Sequence, residues 1–149
     1  MSGERAERFV VLNLRLLAVT FATVGILFIA VPNGVLEAIT DFGNWLPLGK
    51  FTSAPATVER FWLGLGFAYM MVIAGICLVV QMDVVRYRPL LLVLAAGKAA
   101  SSLSALGFYL FDQDVFIYLL NFVIDGYLVG VSLLLWSIAG RIGEPAAPS

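Results

Sequence analysis

The chain has 149 residues, of which 61% are hydrophobic and only 13% charged, where a soluble domain carries roughly 25% charged. Nine Lys plus Arg against ten Asp plus Glu give a net charge of -1, so there is neither a basic field for nucleic acid nor an acidic tail. Histidine is absent and Cys77 is the only cysteine, which argues against haem and transition-metal centres and excludes an intramolecular disulfide or two-cysteine redox pair.

The first apolar segment runs over residues 9–31 (FVVLNLRLLAVTFATVGILFIAV) and stops at Pro32. It is too long for a signal-peptide h-region and no A-x-A site follows it, so it reads as a retained helix. The connection over 32–57 is long for so small a protein. Within it Val35, Leu36, Ile39 and Phe42 recur at helical spacing while Glu37, Thr40 and Asp41 fall elsewhere, which predicts a short amphipathic helix at the membrane interface, anchored by Trp45. It reads either as a lid that seals one end of the bundle or as a gate or partner surface. Pro47, Gly49 and Pro55 then break the chain.

Further apolar segments cover residues 58–81, 89–111 and 115–139, the last two separated by the tight turn Asp112-Gln113-Asp114. Runs of this length exceed any normal strand, and in lipid only helices or closed barrels satisfy the backbone. The pattern predicts an all-α, integral membrane four-helix bundle over residues 1–140, with a short interfacial helix between helices one and two and a polar tail over 141–149. Arg5, Arg8, Arg86, Arg88 and Arg141 fall on one side of such a topology and Lys50 and Arg60 on the other. This asymmetry predicts that both termini face the cytoplasm, in a bacterial-type inner (plasma) membrane crossed several times.

Lys98 and Asp125 sit near the middle of the third and fourth segments, where an unpaired charge costs at least about 2.5 to 3.5 kcal/mol. Helices joined by so short a turn are antiparallel neighbours. Counted from that turn, Lys98 and Asp125 lie within roughly 5 Å of the same depth at about 1.5 Å per residue, so they are expected to meet. Small residues at Gly97, Ser101 and Ala105, and at Ala96, Ala100 and Ser104, permit close approach of the two helices. Tyr118, Asn121, Asp125 and Ser132 form a polar stripe expected to face inward. Two readings of the pair stand side by side. One is a structural ion pair, hydrogen-bonded further by Ser101, Ser102 or Asn121; the other is a site for a proton, an ion or an anionic head group.

Arg15 is a third charge within an apolar segment; its stem either snorkels to the cytoplasmic interface or contacts Asp125 or a lipid phosphate. Glu59 and Arg60, beside Trp62, cap the second membrane helix electrostatically or frame an entrance. Phe61, Phe67, Tyr69, Phe108, Tyr109, Phe116, Tyr118, Phe122 and Tyr127 concentrate in the outer halves of helices two to four. An aromatic outer cavity there would suit a lipid or quinone.

GxSxG, HExxH and GxxxxGK[ST] are all missing, and no carboxylates are paired at a catalytic depth. That argues against a self-contained enzyme and against any resident cofactor other than a lipid or quinone. The four-helix layout, the Arg of helix one, the RFWLGLGF opening of helix two and the Lys-bearing AAGKAASSLSALGFY stretch resemble the DoxX-like set of small bacterial membrane proteins. The resemblance implies a four-helix bundle, in a set where some members are membrane subunits or partners of redox enzymes that handle quinone or thiol chemistry. It transfers no site residue. The expected role is an accessory subunit or a lipid- or quinone-binding membrane module. The alternative is a small carrier or channel that uses Lys98 and Asp125 to move a proton, ion or anion. Membrane lipids, further copies of the chain or another membrane protein are the expected partners; nucleic acid is not.

Overall fold

The computed structural model describes residues 3–142, and these are helical apart from their connections. The elements are α1 (Gly3–Ala30), α2 (Pro32–Trp45), α3 (Arg60–Met82), α4 (Leu90–Phe111) and α5 (Phe116–Ile142). All but α2 are long and apolar enough to cross a membrane. At 22 to 28 residues each, their lengths of about 33 to 42 Å match or exceed a hydrocarbon core of about 30 Å.

α1 begins before the apolar run expected from Phe9. Glu4 lies in its first turn, where an anion complements the helix dipole, and Arg8 one turn on stands 4.0 Å from the Glu4 carboxylate as its i,i+4 partner. Ala6 is already buried there. At the other end of the chain α5 continues to Ile142 with Arg141 in its last turn, where a cation complements the helix dipole. The expected polar tail therefore starts inside a helix, and residues 143–149 of it lie outside the described residues.

α1 packs along α3 and α4 along α5, while α1 also meets α5 and α3 meets α4. Both hairpin-like pairs run antiparallel. Gly25 of α1 lies against Met70 and Met71 of α3, so closely that an added Cβ would stand 3.0 Å from the Met70 Cβ. Nearer the other end, Arg15 Nε donates to Gln81 Oε1 at 3.2 Å. In the second pair Ser102 Oγ donates to the Phe122 carbonyl at 2.8 Å, and the rings of Phe108 and Tyr118 lie 5.7 Å apart.

The two ends of this assembly differ. At the end that carries Gly3 and Ile142, Val10, Leu14, Val80, Leu91 and Leu135 are sealed from solvent in one apolar cluster. Packing of this kind supplies the association energy that lipid-solvated helices otherwise lack. Arg88 closes that end, its guanidinium 4.1 Å from the centroid of the Trp136 ring and laid against Gly140.

α2 covers the opposite end. Pro32 occupies its first turn, where a missing N–H costs nothing, and Val31 breaks the path from α1 with φ -139 and ψ 56. Its inward face differs from the expected one: Val35, Leu36 and Ile39 are half-buried, Thr40 and Gly43 are buried, and Phe42 is exposed. Thr40 can be buried because its hydroxyl donates to the Leu36 carbonyl at 2.9 Å, which removes the desolvation penalty. Gly43 is buried because its backbone rests on the Phe116 ring. Phe42 instead is 49% exposed, stacked on Trp45 at 6.2 Å between centroids and edge-on to Phe116 at 6.1 Å.

The connection from α2 to α3 is tied down by two asparagine side chains of α2. Asn44 Oδ1 accepts from the Phe51 amide at 2.8 Å and Asn33 Oδ1 from the Thr57 amide at 2.8 Å. Gly49 takes φ +116, a conformation that disfavours any side chain. Thr52 Oγ1 then donates to Asp114 at 2.7 Å, fastening the connection to the turn between α4 and α5.

Candidate functional site

Each long helix sends one side chain to a common point at mid-height. Lys98 of α4 donates from Nζ to Oδ1 of Asp125 on α5 at 2.9 Å. Phe21 of α1 places its ring centroid 4.3 Å from the same Nζ, and Tyr69 of α3 places its own at 5.3 Å. Lys98 is 1% exposed and Asp125 3%. The ammonium thus exchanges water for one carboxylate oxygen and two aromatic faces, contacts that strengthen where water is excluded. The register of α4 on α5 follows from small residues: an added Cβ at Gly126 would stand 3.3 Å from Ser102 Oγ.

Ser101, Ser102 and Asn121 do not extend the ion pair, contrary to expectation. Ser102 bonds the Phe122 carbonyl, and Asn121 Nδ2 donates to Ser101 Oγ at 3.2 Å. The reason is position, since Ser101 and Asn121 lie about one turn nearer α2 than the pair and satisfy each other there. The rest of the helix-five stripe does face inward, with Ser132 buried and its hydroxyl donating to the Leu128 carbonyl at 2.8 Å. Arg15 bonds Gln81 rather than Asp125. Arg60 is exposed at the start of α3 and does not line the cavity described next, whereas Glu59 does.

From the Lys98–Asp125 pair a cavity of about 1030 Å³ extends toward α2. Its walls come from α1, α3, α4 and α5, through residues such as Val24, Met70, Ala105 and Leu120. Val35, Leu36 and Ile39 of α2 and the segment 54–59 form its roof. Leu27 of α1 and Ile124 and Tyr127 of α5 line it while remaining 46%, 47% and 71% exposed. Trp62 of α3 and Phe108 of α4 line it too, at 65% and 53% exposed, so the cavity is open through the sides of the bundle. Ser101, Ser104, Tyr118 and Asn121, with Thr20, Thr57 and Glu59, are further polar points on a mostly apolar wall. Among the described residues no three His, Cys, Asp or Glu side chains come together as metal ligands.

Phe21 and Tyr69 are the partners of Lys98 that sequence reasoning missed. Phe21 belongs to the buried row Leu14, Ala18, Phe21 and Gly25 of α1, but a helix that is apolar all round gives no periodicity from which to choose that row. Tyr69 is one of many aromatic residues in helices two to four, and nothing in the sequence singles it out.

Four apolar helices of spanning length and a buried Lys–Asp salt bridge are consistent with a small multi-pass membrane protein. No protein-family model, curated protein or solved structure matches the chain.

Proposed function

We propose that this chain is a membrane-embedded binding module for a lipophilic molecule that enters through the side of the bundle. It lies in a bacterial-type inner membrane with both termini in the cytoplasm, and works as an accessory subunit beside further copies or another membrane protein. One observation carries the reading: an apolar cavity that opens sideways ends on a buried, hydrogen-bonding pair. Ligand sites are mostly apolar with a few placed polar groups, and about 1030 Å³ lies at the upper end of the usual range of roughly 300 to 1,000 Å³. A side opening would meet acyl chains, so a ligand dissolved in the membrane reaches the site without crossing water.

A carrier or channel moving a proton, ion or anion through Lys98 and Asp125 draws on the same cavity. Against it stands the sealed cluster of Val10, Leu14, Val80, Leu91 and Leu135 on the cytoplasmic side of the pair. A conduction path must break that packing, whereas a binding module needs it as a floor.

The test is the lipid that accompanies the purified protein. Extraction and mass spectrometry should find one lipophilic class enriched over the bulk membrane, and Ser104→Trp, which places an indole at an exposed position of the wall, should abolish the enrichment. An identical lipid profile for wild type and variant sinks the reading. Proton or ion flux in proteoliposomes that is lost in Lys98→Met favours the carrier.

A further inference from the structure

Resting on the binding-module reading, we infer that the occupant has an uncharged head bearing a carbonyl or hydroxyl oxygen on an apolar body, and that the Lys98–Asp125 pair is the filter that excludes charged lipids. Charge bookkeeping along the cavity carries this. Lys98 is the only basic residue on its wall, and its charge is already met by Asp125 at 2.9 Å. The other ionisable acid on the wall is Glu59, at the roof end. An anionic head drawn to Lys98 would share the site with Asp125, and the two anions would repel in a region that excludes water. A cationic head drawn to Asp125 would face Lys98 in the same way. Buried charge is tolerated only when paired, and this pair is complete without a ligand.

Hydrogen-bonding capacity remains. Lys98 has three N–H donors, of which Asp125 Oδ1 takes one, and the rings of Phe21 and Tyr69 flank the amine. One turn toward α2, Asn121 Nδ2 spends one N–H on Ser101 Oγ, which leaves its second N–H and the Ser101 hydroxyl proton for an incoming oxygen. Both residues line the cavity. The polar end is thus rich in donors and neutral in sum, which matches an oxygen acceptor without charge.

Three probes with the same ten-carbon tail separate the outcomes: decylbenzoquinone, decyl phosphate and decyltrimethylammonium, each titrated into delipidated protein in nanodiscs of a zwitterionic lipid and read by native mass spectrometry. Wild type should bind the quinone at least about tenfold more tightly than either ion, a difference of about 1.4 kcal/mol. Asp125→Asn leaves Lys98 uncancelled and should turn the preference to decyl phosphate; Lys98→Met should turn it to decyltrimethylammonium. If either single variant fails to fold, the double variant Lys98→Met/Asp125→Leu, which strands no charge but removes the pair and its donors, should weaken quinone binding and narrow its advantage over the two ions; an undiminished advantage would overturn the pair as the filter. Wild type that prefers an ion, or that binds all three alike, overturns the charge filter while leaving a binding module in place. Failure of every probe to bind removes the binding module and the filter together.

Discussion

Gly43 of α2 rests directly on Phe116 of α5: a Cβ built on the glycine would lie 2.8 Å from the Cβ of Phe116 and inside contact with its ring. Phe116 is itself held by Phe51, 4.9 Å away between centroids, and is 3% exposed, so it has nowhere to move. The contact seats α2 over the cavity. Gly43→Ala should therefore cost about 1 to 3 kcal/mol, the usual range for overpacking, read as a lower midpoint in thermal unfolding in detergent. Gly64→Ala is the control, because nothing lies within 4 Å of the Cβ it adds; it should be neutral or slightly stabilising.

The Lys98–Asp125 pair predicts a non-additive mutant cycle. Lys98→Met or Asp125→Leu alone strands one charge in a low dielectric and should cost about 3 to 5 kcal/mol, whereas the double variant should cost much less. Thermal stability of the three variants in detergent is the measurement. Simple addition of the two single losses would mean that the residues do not stabilise each other.

Phe21 contributes to Lys98 through its ring face rather than its bulk alone. Phe21→Leu keeps an apolar side chain but removes the cation–π contact and some volume. Its cost should exceed that of the same exchange at Phe9, which is 42% exposed, by about 0.5 to 2 kcal/mol. Equal losses at the two positions would show that the ring face carries no such weight.

The proposed orientation is open to chemical labelling. Cysteine placed at Ser2, Gln113 or Ser149 should react with an impermeant thiol reagent from outside only at position 113. Native Cys77 is 0% exposed and adds no background in the folded protein. Labelling at position 149 from outside would reverse the topology.

The proposed assembly concerns the outward positions Ala96 and Ala100 of α4, both exposed, and the apolar surface around them. Symmetric dimers or small rings are the usual outcome for such chains. In native lipid the protein should run as a homo-oligomer or bound to another membrane protein, and a strictly monomeric mass there and in mild detergent would count against it.

The sequence by itself determined the four long apolar helices and the position of the central charges along them, because runs so apolar and so long leave few alternatives to helix. Lys98 and Asp125 were legible as a pair from residue counts on either side of one short turn. The rotation of each helix was not legible, since a helix apolar on every side carries no stripe to orient it. Only the tertiary structure chose Phe21 and Tyr69 to face Lys98, sent Asn121 to Ser101 rather than to Asp125, and buried Thr40 while leaving Phe42 exposed. The cavity likewise came from packing: the sealed cluster at the end carrying Gly3 and Ile142, and the space left between the helices beneath α2, are properties of how four helices meet, which no single segment encodes.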